Sequence, residues 1–508
     1  MKTSQAATTI PDAQRLAGIR RGIEKEGLRV LPTGSLALTP HPAALGSALT
    51  HPNITTDYSE SQLELITGAR LGVQECLDEL TQVHQFVLGS MHAVSEEMMW
   101  NSSMPCRLPT DETIPLGRYG SSHSGRSKSV YRMGLGHRYG RRMQTISGIH
   151  YNWSLPGVSS DEYFGLIRNF RRNAFVLLYL FGASPALCGS FVEGREHRLQ
   201  ALGAGKALYL PHATSLRMGR LGYQSDAQSS INVSYNGLDG YANSLFDALT
   251  TPYPAYEKLG IRNPGGDYNQ LGTALLQIEN EFYGTIRPKR TVQRGERPLH
   301  ALRERGVEYV EVRLMDIDPF EPVGIGASTM RMLDVFLLHC LLTDSPPDTP
   351  EEIENLKNNQ HLTAERGREE GLMLTRDGQP VLLRDWALQV LEQCQPYAQA
   401  LDATNGCNDY SAALEQALAR VRGEEITPSA HVLQELSQNY GNNFLDFMLA
   451  QTRRSHEGLL ASPWSPELQQ RYVQMAAESV QAQQQIEDAD TLSFEEWRQR
   501  YMDPAILL

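Results

Sequence analysis

Strict alternation of apolar and polar residues in the stretch 306–322 (GVEYVEVRLMDIDPFEP) predicts a β-strand, because side chains two apart point to the same face. Val310 and Val312 belong to an aliphatic face, whereas Glu311 and Arg313 project from the opposite one. A carboxylate and a guanidinium on one strand face suit an anionic ligand held together with a metal ion. A solvent-facing strand with a weak surface ion pair is the alternative.

Two earlier stretches, 22–30 and 54–67, also place acids on the face of a predicted strand. Their acids are Glu24 and Glu26 in the first stretch, and Asp57, Glu60 and Glu64 in the second. Neighbouring carboxylates repel one another and are tolerated where a cation lies between them. A solvated acidic patch remains the alternative.

The stretch 141–156 alternates in the same way and carries His150 on the face shared by Gln144 and Asn152. A strand histidine of this kind is either a neutral metal ligand, a proton carrier or an ordinary packing residue.

The stretch 275–290 is also predicted to be a strand, with Glu279 and Glu281 on one face. It ends in three cations that either meet phosphates or form a basic surface turn: Arg287, Lys289 and Arg290.

Helical spacing surrounds these stretches. We expect helices over 72–100, 168–181 and 328–343, and a loop over 100–129. The uncharged run 174–192 is broken by Gly182 and Pro185, which favours a buried helix over a membrane span. Beyond residue 351 nearly everything is predicted helical: 387–401, 410–421, 430–451 and 466–486. We therefore expect a catalytic core over 1–344 and a mainly helical portion over 345–508 that packs on it.

The charge balance and the cysteines limit the class of protein. With 46 basic and 59 acidic residues the formal charge is −13, which argues against nucleic acid as the main partner. Six cysteines without CxxC spacing indicate reduced thiols in the cytoplasm. The sequence contains no phosphate-binding loop of the G-x-x-x-x-G-K-[ST] type, no G-x-S-x-G elbow and no H-E-x-x-H zinc pair.

A single antiparallel sheet would bring the acidic strand faces over one cleft. Five or six carboxylates and one imidazole are tolerable together around two or three hard divalent cations. Such ions commonly carry nucleotide phosphates, so the pattern favours phosphoryl transfer to a carboxylate.

Eight collinear segments resemble the bacterial glutamate–cysteine ligases of the enterobacterial type, also called γ-glutamylcysteine synthetases. These segments are 18–30, 44–51, 143–156, 179–186, 210–217, 276–283, 286–290 and 308–320. The resemblance runs in order from about residue 18 to about residue 342 and thins across the helical C-terminal portion.

The resemblance implies an α+β, glutamine-synthetase-like fold, in which a curved antiparallel sheet forms an open funnel with helices packed outside. It also implies that ATP phosphorylates the γ-carboxylate of L-glutamate. The amino group of L-cysteine then attacks γ-glutamyl phosphate, giving γ-glutamylcysteine, ADP and phosphate. Mg²⁺, two or three ions per site, or Mn²⁺ is the implied metal. We expect a cytoplasmic monomer without a nucleic-acid or membrane partner.

The resemblance also assigns roles to individual positions. The implied metal ligands are Glu24, Glu26, Asp57, Glu64, His150 and Glu311. Positions expected near the amino-acid substrates are Tyr131, Arg217, Tyr223, Tyr283 and Arg313. Expected ATP contacts are Arg132, Arg287 and Lys289. Glu311 and Arg313 are the expected catalytic pair, with Arg313 near the transferred phosphoryl group.

One departure concerns Gly27, where family members carry other small polar residues, so the strand there is expected to differ in geometry. Two other functions stay open. One is a carboxylate–amine ligase that joins glutamate to a different amine. The other is a catalytically idle metal- or nucleotide-binding protein, which the intact acidic set argues against.

Overall fold

An antiparallel sheet with helices packed around it organises the chain in a computed structural model, which describes residues 9–203, 206–222, 227 and 231–508. The strands are β1 (Arg20–Val30), β2 (Ile54–Thr56), β3 (Gln62–Ile66), β4 (Met98–Met99), β5 (Ile149–Ser154), β6 (Ala186–Cys188), β7 (Gln200–Ala201), β8 (Ala207–Tyr209), β9 (Ile286–Lys289), β10 (Tyr309–Met315), β11 (Met373–Arg376) and β12 (Gln379–Leu382).

The α-helices precede, separate and follow these strands. They are α1 (Ala13–Ala17), α2 (Val73–His92), α3 (His123–Tyr139), α4 (Ser160–Phe181), α5 (Leu238–Thr250), α6 (Pro254–Leu259), α7 (Pro298–Arg305), α8 (Ala327–Leu342), α9 (Pro350–Arg366), α10 (Leu383–Gln393), α11 (Gln395–Asn405), α12 (Asp409–Arg422), α13 (Pro428–Asn439), α14 (Phe444–Ala461), α15 (Pro466–Asp488) and α16 (Phe494–Tyr501).

The main sheet has the strand order β2-β3-β1-β5-β10-β9, and β4 pairs with the end of β1. Each neighbouring pair is antiparallel. The apolar face predicted for the central strand is confirmed, since Val310, Val312 and Leu314 are buried. They join one hydrophobic core with residues of α2, α4 and α8. The opposite face of the sheet carries the acids.

Helix α4 shows why the uncharged run does not cross a membrane. Ser159 and Glu162 form a capping box at its start, and Gly182 ends it. The run continues into the short strand β6, and its aromatic and aliphatic side chains lie in the core. Across the described ranges, no helix combines the length and the hydropathy that a membrane span needs.

Several sequence predictions of regular structure are wrong in extent. The predicted helix 72–100 ends at His92, and Met98–Met99 form β4. The predicted helix 387–401 is two helices, α10 and α11, because a new helix begins at Gln395 with Pro396 in its first turn. The predicted helix 430–451 is divided at Gly441 and Asn442, which have positive φ angles of 54° and 63°. The predicted loop 100–129 ends earlier, because α3 begins at His123 behind a Ser122 cap.

The prediction of one strand over 275–290 is wrong in its first half. Glu279 and Glu281 lie in a single 3-10 turn, and the strand begins at Ile286. Each acid is paired with a buried arginine: Glu279 lies 2.8 Å from Arg297 and Glu281 lies 2.9 Å from Arg138. These ion pairs fix the turn, so the two acids do not belong to the acidic face of the sheet.

Gly27 does not interrupt β1. Register runs without a break from Glu24 paired with Ile66 to Leu28 paired with Gln62. The pairing of β1 with β3 is therefore regular at Gly27, and the difference in geometry from other family members stays a prediction.

Candidate functional site

A row of polar side chains crosses the sheet because antiparallel register places them opposite one another. Glu26 faces Glu64 across β1 and β3, and Glu24 faces His150 across β1 and β5. Farther along the row, Glu311 on β10 lies opposite Asn152 on one side and Arg287 on the other. Cross-strand partners have Cβ atoms within about 5.5 Å, so register alone assembles this row.

Glu24, His150 and Glu311 form the tightest group in the row. Nδ1 of His150 lies 3.1 Å from Oε2 of Glu24 and 3.8 Å from Oε1 of Glu311. One ligand atom from each of the three lies within 4.8 Å of the others, which is the spacing of a metal site. Asn152 donates to Oε1 of Glu24 at 2.9 Å and so orients that carboxylate.

Burial lowers the pKa of His150, and the charge of Arg313 lowers it further. The imidazole is therefore neutral near neutral pH, as metal ligation requires. Burial acts to raise the pKa of Glu311, but the charges of Lys289 and Arg313 hold it well below its ordinary value. Glu311 is therefore ionised.

The acids at the other end of the row are crowded. Burial and the charge of Asp57 raise the pKa of Glu26 to about 8. Burial and the charges of Glu24 and Asp57 raise the pKa of Glu64 well above its ordinary value. Glu26 is nevertheless held in place, because the amide of Gly148 donates to its Oε2 at 2.7 Å. Like charges this close need a cation between them in order to ionise together.

A cationic edge adjoins Glu311. Nζ of Lys289 lies 3.2 Å from one of its oxygens, and the nearest guanidinium nitrogens of Arg313 and Arg287 lie 3.1 Å and 4.0 Å from the other. The pairing of β10 with β5 is irregular between Val312 and Met315, next to Arg313. Such irregularities re-aim a side chain, here toward the acids.

One face of α3 forms the wall opposite the sheet. Lys128, Tyr131, Arg132 and Leu135 recur at helical spacing and all line the cavity. The guanidinium of Arg132 lies 4.6 Å from the ring centre of Tyr119 and donates to the carbonyl oxygen of Asp57. This contact fixes Arg132 next to a predicted metal ligand.

Tyr283 and Arg217 lie on the remaining side. Gln144 donates to the Tyr283 hydroxyl at 2.9 Å, and burial raises the pKa of that hydroxyl. Arg217 is buried and donates to the backbone carbonyl of Arg313 at 2.8 Å. An arginine and two tyrosines therefore face the same space as the acids.

The residues of the row, the cationic edge and α3 line one cavity of about 700 Å³. The sequence-predicted site residues that meet there are Glu24, Glu26, Asp57, Glu64, Tyr131, Arg132, His150, Arg217, Tyr283, Arg287, Lys289, Glu311 and Arg313. Glu60 instead accepts hydrogen bonds from the amides of His41 and Arg118. Tyr223 lies outside the described residues.

Sequence reasoning missed several lining residues. Lys128 was detectable, because it lies three and four residues before Tyr131 and Arg132 and shares their helix face. Lys357 and Gln360 of α9 and Tyr501 of α16 also line the cavity, although they come from the portion expected only to support the core. Nothing in their local sequence distinguishes them from other polar residues of these helices.

The donor set fits divalent magnesium. Carboxylate oxygens are the ligands that Mg²⁺ prefers, and burial together with neighbouring carboxylates raises the pKa values of Glu26 and Glu64. A hard cation would relieve that repulsion.

Known proteins resemble this chain over nearly its whole length. The sequence model of the glutamate-cysteine ligase family matches residues 6–363. The glutamate–cysteine ligase of Saccharophagus degradans is 47% identical over 509 residues, covering 96% of this chain and 95% of that protein. That of Hahella chejuensis is 46% identical over 511 residues, covering 96% of each chain.

Solved structures agree with the sequence matches. A crystal structure of glutamate–cysteine ligase from Francisella tularensis in complex with AMP has a TM-score of 0.90 and 37% identity, covering 96% of this chain and 97% of that one. A bifunctional glutathione synthetase from Pasteurella multocida shares the fold, with a TM-score of 0.67 at 24% identity over 88% of this chain and 53% of that one. The predicted α+β, glutamine-synthetase-like fold is confirmed. The resemblance is confirmed as well, and the chain belongs to the glutamate–cysteine ligase family.

Proposed function

We propose that this chain joins L-glutamate to L-cysteine at the expense of ATP, in the cavity between the sheet and α3. ATP phosphorylates the γ-carboxylate of glutamate, and the cysteine amino group then displaces phosphate to give γ-glutamylcysteine. This reaction is the first step of glutathione biosynthesis. The observation that carries the site assignment is the meeting of Glu24, His150 and Glu311 with a cationic edge inside one cavity.

The chemistry explains the residue types. A carboxylate is a poor acyl donor, because oxide is a poor leaving group, and an acyl phosphate removes that obstacle. ATP and glutamate are both anionic, so positive groups must offset their repulsion as the phosphoryl group moves. Arg313, Lys289 and Arg287 offer such groups from two adjacent strands. Arg313 stabilises charge on the transferred phosphoryl group, and Arg132, Arg287 and Lys289 contact ATP.

The acidic row is the proposed metal site. Its ligands for two or three Mg²⁺ ions, or Mn²⁺, are Glu24, Glu26, Asp57, Glu64, His150 and Glu311. When bound, such ions would neutralise phosphate charge. The chain's own contribution is to hold the ligands: Asn152 and the Gly148 amide fix two of the carboxylates.

The amino-acid substrates are assigned to the remaining wall. Arg217 suits a carboxylate, and Tyr131 and Tyr283 supply aromatic faces and hydroxyls beside it. Tyr223 keeps its proposed role near a substrate on the family resemblance alone. A monomeric enzyme in the cytoplasm completes the proposal, and the six free cysteines support its location in a reducing compartment.

Phosphate release from ATP tests the reaction directly. We would measure it with L-glutamate and Mg²⁺ against L-cysteine, L-2-aminobutyrate, L-alanine, glycine and ammonia. Strong stimulation by cysteine, with weaker stimulation by 2-aminobutyrate, is expected. Release with another amine but not with cysteine would change the second substrate. A folded protein that releases no phosphate with any amine would overturn the reaction.

A magnesium titration of Glu311→Gln tests the metal site. The variant loses an ionised ligand, so half-maximal activity is expected at about tenfold or more higher Mg²⁺, the size of a lost ligand interaction. Glu308→Gln is the matched control, because Glu308 lies on the same stretch but pairs with Arg290 outside the cavity. An unchanged titration for Glu311→Gln would remove it from the ligand set.

A further inference from the structure

The wall that carries Arg217 is built around a glycine. A Cβ atom on Gly148 would lie only 2.1 Å from Nη2 of Arg217 and 2.5 Å from its Cζ. Arg217 therefore lies flat against the backbone at the start of β5, where Nη2 reaches the carbonyl of Arg313. Only glycine leaves room for this approach.

A buried aspartate lies near the same guanidinium. Asp316 follows directly after β10 and is 4% exposed. Its Oδ2 accepts from the Ala183 amide at 2.9 Å and from the Ser184 hydroxyl at 2.5 Å, and its Oδ1 accepts from the Ser215 hydroxyl at 2.9 Å. These donors come from the segment after α4 and from the segment that leads to Arg217. Asp316 thus joins three parts of the chain at one point.

The distance between the two charges defines the interaction. Nη1 of Arg217 lies 3.7 Å from Oδ1 of Asp316, which is an ion pair but too long for a hydrogen bond. In this buried setting the attraction is strong, because little water screens it. Asp316 therefore holds the guanidinium by its charge, while its own oxygens are occupied by Ala183, Ser184 and Ser215.

We propose that Asp316 is a positioning residue that fixes the Arg217 guanidinium between Gly148 and the Arg313 carbonyl, so that it meets a substrate carboxylate in the correct place. The inference rests on the proposed function, in which Arg217 binds an amino-acid substrate. Strand β10 then positions three side chains: it carries Glu311 and Arg313, and Asp316 at its end holds Arg217. The geometry of this strand would therefore determine the distance between the substrate carboxylate and Arg313.

Asp316→Asn isolates the charge. The amide nitrogen can point toward the Ser215 oxygen, which is able to accept, while the amide oxygen still accepts from Ala183 and Ser184. The shape and most hydrogen bonds survive, and the ion pair is lost. We expect the KM for one amino-acid substrate to rise about tenfold or more with kcat changed less than about threefold, the signature of lost substrate binding.

Asp334→Asn is the matched control. Asp334 is also a buried aspartate paired with an arginine, at 3.0 Å from Arg21, but it lies behind the sheet and does not line the cavity. It is expected to lower the thermal unfolding midpoint and leave both KM values unchanged. If Asp316→Asn behaves in the same way, the positioning role is overturned.

Ser215→Ala provides a second variant in case Asp316→Asn does not fold. It removes one donor to Asp316 and should raise the same KM by a smaller factor, about two- to fivefold, because only part of the energy of that hydrogen bond acts on Arg217. An unchanged KM in a folded Ser215→Ala protein would count against the proposal.

Chemical rescue distinguishes substrate binding by Arg217 from the positioning of Arg217 by Asp316. Added guanidinium ion should restore part of the activity of Arg217→Ala, and should restore much less in Arg217→Ala/Asp316→Asn, because the anion that holds the ion is gone. If Arg217→Ala leaves both KM values unchanged, the proposed role of Arg217 fails. If it raises a KM but equal rescue occurs with and without Asp316, only the positioning role fails.

Discussion

At the scale of single residues, Glu311 is the point where acidic and cationic groups meet. It lies within 4.0 Å of Lys289, Arg287, Arg313 and His150. The three cations Lys289, Arg287 and Arg313 keep this buried carboxylate ionised, whereas burial and neighbouring acids raise the pKa values of Glu26 and Glu64 at the other end of the row. The sheet is therefore polarised along the row before any ligand binds, with Lys289, Arg287 and Arg313 at the β9–β10 edge.

Arg313→Ala should lower kcat by more than about a hundredfold, the size of a lost oxyanion donor, because the side chain stabilises charge on the transferred phosphoryl group. Steady-state phosphate release with glutamate and cysteine measures the loss. Arg290→Ala is the matched control: Arg290 directly follows the neighbouring strand β9 but binds the Arg305 carbonyl and Glu308 outside the cavity. Near-normal turnover of a folded Arg313→Ala protein would refute the role.

Metal binding should release protons near neutral pH. In the metal-free protein Glu26 has a pKa of about 8, so it carries a proton that a cation must displace, and Glu64 adds to the effect. Apparent Mg²⁺ affinity should therefore fall as the pH drops below about 8. Calorimetric titrations in buffers of different protonation enthalpy count the protons. Glu26→Gln should release about one proton fewer, and an identical count would exclude Glu26.

At the scale of elements, alternation located the acids on β1, β3 and β10 correctly, because a buried back face imposes a period of two. The same rule failed at Glu279 and Glu281, where buried arginines from distant segments decide the backbone. Ion pairs between distant segments leave no periodic signal in the sequence.

Helix α3 was not predicted from the sequence, because tertiary contacts again determine its residues. Its residues face a cavity on one side and polar neighbours on the other, so it has no apolar stripe. It also contains three internal glycines, Gly125, Gly134 and Gly136, which are more typical of loops. They are explained by close packing: a Cβ atom at Gly134 would lie 2.5 Å from the Gln277 side chain. Only tertiary contacts reveal why the glycines are there.

Gly27→Ala tests whether β1 accepts a side chain at this regular position of the strand. A Cβ atom there would lie 2.8 Å from Cε of Met99, the flexible end of a side chain, and β1 is regular at this point. We expect the free energy of unfolding to change by less than about 1 kcal/mol, because gain of strand propensity offsets the shift of Met99. Chemical denaturation measures it. Gly148→Ala is the contrast and should raise a substrate KM, since Arg217 is displaced.

At the scale of the whole molecule, the two portions expected from the sequence share one hydrophobic core. Trp386, Leu414 and Tyr472 belong to the same cluster as Ile23 and Val312. Side chains also bridge them: Ser328 donates to Gln416 at 2.7 Å and Arg331 lies 2.7 Å from Asp409. We propose that residues 1–344 and 345–508 differ in composition but fold as one unit. Residues 345–508 then stabilise the sheet from behind, and α9 and α16 complete the cavity.

Leu414→Ala distinguishes shared from separate folding. Leu414 on α12 is 2% exposed, so the substitution should lower the free energy of unfolding by about 2–5 kcal/mol. If the core is shared, hydrogen exchange under increasing denaturant should show the protection of α8 and of α12 lost at one and the same lowered midpoint. Leu460→Ala, at an exposed position on α14, is the control and should leave both midpoints unchanged. A lowered midpoint for α12 with an unchanged midpoint for α8 would show that the two portions unfold independently. The cavity residues from α9 and α16 would then belong to a separable unit.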